Sequence, residues 1–270
     1  MIYDIFTFND ELEILELRLN IHNDIVDKFI IVESNKNFFM RDKPLHYLEN
    51  QHLFENFKDK IIHVNIDMID HGHAFYNDYY QKSLCIDYLL NIMNSDDIAY
   101  ISDADEILNI THVESFQNGN RLKPICGIAK FLHYFINVEV NTAWYNGIVC
   151  TKRHLDEFFK GNVNHTLCRK FRDSRANLDI FDIKNNYGYH YTWLVNKQDG
   201  INNIYKKLQS HSHMEMKNIT LEHIKKCIDN LKPLNESSQP WKLTTFELND
   251  NTCPKYILNN INKYKHLIYQ

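Results

Sequence analysis

The feature that most constrains this chain is an alternation, over residues 1–110, of short apolar runs with stretches of helical periodicity. Ile2–Phe8 reads as a strand, and Asn9 or Asp10 is placed to cap a helix in which Leu12, Leu15 and Leu19 share one face. Lys28–Glu33 is a second buried strand and Ile61–Asn65 a third. Tyr76–Met93 is a helix with polar and apolar sides, and Ile98–Ser102 is a fourth strand. Strands separated by helices at this spacing imply a mainly parallel sheet with right-handed crossovers, flanked by helices. The expected class is α/β, and ligands of such sheets sit at the carboxyl ends of the strands. Beyond about residue 120 the pattern changes. Gly127–Val138 and Gly147–Thr151 look like longer strands that add an antiparallel element, and Tyr187–Leu194 is rich in aromatics. Helical patterns follow at about 199–209, 220–231 and 254–267, the last two on the outside, with no internal repeat, linker or P-loop.

A chain of 270 residues can bury a sizeable core without disulfides or structural metal. Its 44% hydrophobic and 24% charged residues, with only 7 Gly and 5 Pro, exclude collagen-like and disordered classes. A net charge of -5 argues against nucleic acid as a partner. That charge is uneven: residues 1–110 hold 21 Asp and Glu against 8 Lys and Arg, leaving 14 against 22 in residues 111–270. Either two faces differ, or one half supplies carboxylates for a cation while the other meets an anion. Asp4 interrupts the first residues, and no 18-residue uncharged apolar run occurs, so neither a signal peptide nor a membrane span is visible. Six scattered cysteines without a C-x-x-C read as reduced, buried thiols. The sequons at Asn109, Asn164, Asn218 and Asn235 are about as many as chance provides. The expected location is cytoplasmic.

The sharpest local signal is Ile98-Ala-Tyr-Ile-Ser-Asp-Ala-Asp-Glu-Ile107, an apolar strand ending in three carboxylates within four residues. Like charges so close need a cation or donors to compensate them. Asp103 and Asp105 point the same way in an extended segment and can share a divalent ion. Solvated turns also carry Asp pairs, so the position after a buried strand is what favours a site. A strand-end D-x-D suits nucleotide-sugar transfer, where Mn²⁺ or Mg²⁺ neutralises the departing diphosphate. It also suits aspartyl-phosphate phosphatases, whose motif stands on the first strand with Thr or Val where Ile107 stands here.

Six segments in order then show a resemblance. They are Phe8-Asn-Asp-Glu-Leu-Glu-Ile-Leu-Glu-Leu-Arg-Leu19, Asp24-Ile-Val-Asp-Lys-Phe-Ile-Ile-Val-Glu-Ser-Asn35, Lys43-Pro-Leu45, Ile101-Ser-Asp-Ala-Asp-Glu-Ile107, Gly188-Tyr-His-Tyr-Thr-Trp193 and Pro254-Lys-Tyr-Ile-Leu258. Together they resemble glycosyltransferase family 17, in its short bacterial and viral form. The resemblance implies a GT-A-like fold in one glycosyltransferase domain over residues 1–270, with residues 1–110 as the nucleotide-sugar half and residues 111–270 as the acceptor half with C-terminal helices. It implies an inverting enzyme that takes a sugar, GlcNAc first, from a UDP donor to a saccharide hydroxyl of a surface or viral glycan. The catalytic set would be Asp105, Asp103 and Glu106, with Glu106 read rather as orienting the loop. Asp103, Asp105 and His190 would hold Mn²⁺ or Mg²⁺, and His190 can alternatively be a core histidine. Phe8, Asn9, Glu33, Asn35, Lys82 and Asp103 would face the donor, with structural caps an equal reading of Glu33 and Asn35. Because the family's bisecting enzymes carry an anchor and stem, this chain would be close to a bare catalytic core.

Lys82 stands where many relatives have Arg, which turns a bidentate contact into a point charge. Tyr189 and Thr192 replace Trp and Ser. An inverting transfer needs a carboxylate base, which stays unassigned among Glu139, Asp156, Glu157 and Asp182. Trp144 and Tyr145 are placed either to stack on a sugar or to pack in the core, and Arg169, Lys170, Arg172 and Arg175 to meet a diphosphate or an anionic acceptor. His71-Gly-His73 and His211-Ser-His213 read as loop features. Lys206, Lys207, Lys217, Lys225 and Lys226 read as a solvated helix face, or as a peripheral membrane contact. Two other functions fit the residues: a metal-dependent phosphatase or phosphodiesterase, and a non-catalytic glycan-binding module.

Overall fold

The computed structural model describes residues 1–195, 200–210, 216, 218–234 and 240–270. In chain order the elements are β1 (Ile2–Thr7), α1 (Leu12–His22), β2 (Lys28–Ser34), α2 (His46–Asn50), β3 (Ile61–Ile66), α3 (Ala74–Ile92), β4 (Ile98–Asp103), β5 (Glu106–Leu108) and α4 (Thr111–Asn118). The second half adds β6 (Ile125–His133), β7 (Val138–Val140), β8 (Trp144–Tyr145), β9 (Ile148–Thr151), α5 (Lys152–Phe159), α6 (His165–Asp173), β10 (Asp182–Lys184), β11 (Gly188–Thr192), α7 (Gly200–Ser210), α8 (Leu221–Asp229), β12 (Leu243–Thr245) and α9 (Lys255–Asn259).

The sheet runs β12-β7-β6-β9-β4-β1-β2-β3. Strands β4, β1, β2 and β3 are parallel, as buried apolar runs joined by helical crossovers require. On the far side of β4 the sheet turns antiparallel through β9 and then β6. Registers Thr7↔Asp103 and Thr7↔Val32 bring the carboxyl ends of β1, β2 and β4 to one edge. Alternate strand residues feed two cores. Phe6, Phe29, Ile31 and Tyr100 meet Leu15 and Leu19 of α1 on one face, while Ile5, Ile30, Val32 and Ala99 meet α3, α5 and α6 on the other. The result is an α/β fold of helices around a mainly parallel mixed sheet.

Several local expectations are corrected. Neither Asn9 nor Asp10 caps α1. The helix starts after Glu11, whose Oε2 accepts instead from the amides of Asn9 (3.3 Å) and Asp10 (3.2 Å). The strand expected over Gly127–Val138 ends at His133, because Tyr134 adopts φ +65° and turns the chain before β7. The last helix covers only Lys255–Asn259. His73 serves α3, its Nδ1 accepting from the amide of Phe75 at 3.2 Å. His211, His213, Lys217 and the sequon at Asn235 lie outside the described residues.

Gly147 is where β9 passes closest to the end of β4. A Cβ there would fall 2.4 Å from Ser102 Cβ, 2.7 Å from the Ile101 carbonyl oxygen and 2.7 Å from the Tyr100 ring. The carbonyl cannot yield without breaking the β4–β9 ladder. Gly147→Ala is therefore expected to cost about 2 kcal/mol, a fall of roughly 4–8 °C in Tm. An unchanged Tm in thermal unfolding would show that this approach is not tight.

Candidate active site

The turn from β4 to β5 carries Asp103, Ala104 and Asp105 at the carboxyl edge of the sheet. Asp103 faces two cations. Lys82 Nζ lies 3.1 Å from its Oδ1, and the guanidinium of Arg172 bonds its Oδ2. Burial acts to raise this carboxyl, but Arg172 and Lys82 outweigh it and hold the group well below the usual carboxylate range. Lys82 is shared with Asp78 at 3.0 Å, so one ammonium bridges α3 to the turn.

Asp105 has a different set of partners. Strand β11 runs antiparallel to β5, with His190 opposite Glu106, and the Tyr191 amide donates to the Asp105 carbonyl at 2.9 Å. This pairing places His190 Nε2 3.5 Å from Asp105 Oδ1. Lys207 Nζ approaches Asp105 Oδ2 at 3.6 Å and Glu11 Oε1 at 2.8 Å. Burial again acts to raise the Asp105 carboxyl, and Lys207 with His190 brings it below its ordinary value. The His190 ring stacks on Trp144 (4.2 Å, 23°) and on Phe131 (5.1 Å, 13°), an aromatic wall that Trp241 meets edge-on at 5.3 Å from Phe131.

Glu106 is fully buried. Its Oε1 accepts from Trp144 Nε1 (2.9 Å), Arg175 (3.3 Å) and Arg172 (3.4 Å), and its Oε2 accepts from the Asp103 amide (3.2 Å). A cavity of about 50 Å³ beside it, lined in part by Thr7, Lys82, Ser102 and Arg172, has room for a few waters and not for a nucleotide.

The structure thus gathers Asp103, Asp105, Glu106, Lys82 and His190, and brings Arg172, Arg175 and Trp144 to them. Other sequence candidates stand elsewhere. Phe8 is core, 2% exposed. Asn9 stands in the loop before α1, its amide on Glu11. Glu33 is buried, with its oxygens on the Tyr47 amide and His63 Nε2, both at 3.1 Å, so it ties β2 to α2 and β3. Asn35 is exposed at the end of β2, its carbonyl accepting from the Lys43 amide. Tyr145 is half-buried against the core, Arg169 pairs with Asp173, and Lys170 is exposed.

None of the four base candidates faces the turn. Glu139 pairs with Lys130 at 3.3 Å, and its strand register sets it on the sheet face opposite His190. Asp156 and Glu157 are exposed on α5, which follows Thr151, the partner of Ile98 at the far end of β4. Asp182 is exposed opposite Ile125, six residues before Phe131 along β6. A carboxylate of the loop before α1 is linked to Asp105 through Lys207. Glu11 shares Lys207 with it, and Asp10 is raised by burial and by the Glu11 charge.

Sequence reasoning missed Lys207 as a site residue and Arg18 altogether. Lys207 belongs to the inward side of α7, one position before Leu208 and three after Ile204, both buried, whereas Lys206, Lys225 and Lys226 are exposed. That helical spacing was the available signal. Asn146 is a third omission: it is fully buried two residues before Ile148, and neither amide atom has a hydrogen-bond partner among the described residues.

Among the described residues, no three or more His, Cys, Asp or Glu side chains form a group that could hold a metal unaided. No helix there is long and apolar enough to cross a membrane. Comparison with known proteins places the chain. It is 31% identical over 107 residues to the human and rat β-1,4-mannosyl-glycoprotein 4-β-N-acetylglucosaminyltransferases, covering 37% of this chain and 20% of theirs. The match therefore spans about a fifth of the length of these curated relatives. Among solved structures it is similar to the inositol-1-phosphate CTP transferase from T. maritima (TM-score 0.43, 12% identity, 77% of this chain and 96% of that one). Mouse xyloside xylosyltransferase 1 is similar at TM-score 0.34 and 9% identity, over 68% and 84% of the two chains. The model of glycosyltransferase family 17 matches residues 1–230 of the 270, and the chain belongs to that family of transferases.

Proposed function

We propose that this glycosyltransferase is an inverting, metal-dependent enzyme that moves a sugar, GlcNAc first, from a UDP donor to a saccharide hydroxyl of a surface or viral glycan. The observation that carries the reading is the pairing of Asp105 with His190 at 3.5 Å at the D-x-D turn, while Asp103 is held by Lys82 and Arg172. An oxygen and a nitrogen 3.5 Å apart can each sit about 2.1 Å from one ion. Two protein ligands suffice where phosphate oxygens and water complete the shell, which suits Mg²⁺ or Mn²⁺ better than a closed protein cage. When bound, that ion would neutralise the diphosphate as the sugar–phosphate bond breaks.

The chain's own residues do the rest. Asp103, Arg172 and Lys82 form a charged floor that orients the turn, and Arg172 and Lys82 can exchange Asp103 for phosphate oxygens. Trp144, held by Glu106 and stacked on His190, fixes the imidazole plane, and the aromatic wall on that side offers an apolar face to the acceptor sugar. The six cysteines are free and buried, which favours action in a reducing compartment such as the cytoplasm.

Thermal-shift measurements with UDP-GlcNAc, UDP-Gal and UDP-Glc, with and without Mn²⁺, test the reading. A stabilisation that needs both UDP-sugar and metal is expected, with RT ln(1 + [L]/Kd) amounting to about 2.7 kcal/mol at a hundredfold excess over Kd. Phosphate release from simple esters without UDP dependence would indicate the phosphatase, and sugar affinity indifferent to chelator the glycan-binding module. Either result would sink the transferase mechanism.

A further inference from the structure

Arg18 lies inside α1 and is fully buried, as is the Asp4 it pairs with. Its Nε and Nη2 bind the two oxygens of Asp4 at 2.9 and 2.5 Å, and Nη2 also donates to Ser102 Oγ at 2.6 Å. Its Nη1 reaches three main-chain carbonyls, those of Asp103 (2.8 Å), Glu106 (2.9 Å) and Ala104 (3.1 Å), two of which share one N–H. The guanidinium carbon sits 4.2 Å from the centre of the Phe6 ring. Three carbonyl oxygens of one short turn thus converge on one cation, and without it they would repel.

We infer that Arg18 is a positioning residue for sugar transfer: it sets the backbone of the D-x-D turn, and through it the direction of the Asp103 and Asp105 carboxylates. Burying an Arg–Asp pair is costly and gives weak stability, and His22 Nδ1 already bonds Asp4 at 2.8 Å, so a core ion pair alone does not account for the reach of Arg18 to the turn. The guanidinium fork does, because its five N–H groups, one of them shared between two carbonyls, let one side chain span a carboxylate, a hydroxyl and three carbonyls. A lysine ammonium in the same place has three donors at one point and cannot span them. The inference rests on the proposed donor site, but its geometric content does not.

The test uses the full-length chain and two readouts. The first is UDP affinity in the presence of Mn²⁺, by calorimetry. The second is amide hydrogen exchange across residues 103–108 compared with residues 29–32. Arg18→Lys is expected to keep a cooperative unfolding transition, to weaken UDP binding by at least about 30-fold, within the range for groups that orient metal ligands, and to speed exchange in the turn only. Folded Arg18→Lys that binds UDP within threefold of the wild type and protects the turn equally overturns the inference. If Arg18→Lys does not fold, Ser102→Ala carries the test. It removes one anchor of the guanidinium, and about a threefold to tenfold loss of UDP affinity with faster exchange in the turn is expected; no change in either overturns the inference. Failure of the wild type to bind UDP with Mn²⁺ would instead defeat the proposed function, and the exchange readout would still decide the role of Arg18.

Discussion

Asp105→Ala is expected to abolish transfer while leaving the protein folded. On the proposed mechanism Asp105 and His190 would be the two side chains that hold a divalent ion. Such an ion would supply several kcal/mol of charge stabilisation, so turnover should fall by about 10³-fold or more. The fold has little reason to respond. The backbone contact of residue 105, its carbonyl accepting from the Tyr191 amide, does not involve the side chain. Lys207 would lose one partner but keep Glu11 at 2.8 Å, so no buried cation is orphaned. Tm should therefore stay within about 2 °C of the wild type, in line with substitutions that strand no buried group. Mn²⁺-dependent stabilisation by UDP should vanish in parallel with activity. Transfer within tenfold of the wild type would refute the role given to Asp105.

What the sequence made legible follows from how far apart the interacting residues lie. The parallel half was readable because each strand is a continuous apolar run and each helix carries its own periodicity, both local signals. The D-x-D was readable because three carboxylates sit within four residues. The partners of those carboxylates were not, since they come from distant elements: Lys82 from α3, Arg172 from α6, His190 from β11 and Lys207 from α7. Composition held a trace of them. The acidic first half and basic second half meet in Arg172–Asp103, Arg175–Glu106 and Lys207–Glu11, so part of the charge asymmetry is spent on pairs between the halves. Arg18 left a weaker trace: an arginine between two fully buried leucines of α1, Leu17 and Leu19, reads as an ordinary helical residue until its partner Asp4, fourteen residues away, is in place. Glu139 lies away from the turn because a carboxylate's sheet face depends on strand register, which no local pattern reveals, and Asp156 and Glu157 do so because α5 follows the strand end that pairs with the start of β4.

Glu106→Ala is expected to cost both stability and function, and Glu106→Gln separates the causes. Glu106 is the counter-charge for Arg172 and Arg175, accepts the Trp144 indole N–H and accepts the Asp103 amide, with no surface exposed. With its oxygens held by four donors, it acts on the site through its neighbours. Removing one partner of a fully buried ion pair costs about 3–5 kcal/mol. Here both guanidiniums are partly exposed, at 20% and 13%, and Arg172 retains Asp103, which lowers the expectation to about 2–4 kcal/mol, or roughly 5–15 °C in Tm. Donor affinity should fall as well, because Trp144 loses its anchor beside His190 and Arg172 is freed to close more tightly on Asp103. Glu106→Gln preserves the volume and one acceptor oxygen but removes the charge and presents an amide to two cations. If the charge dominates, Gln should lose most of what Ala loses; if packing dominates, Gln should behave like the wild type in thermal and chemical unfolding. A wild-type Tm for both variants would show that the Arg172–Glu106–Arg175 network does not hold this part of the fold.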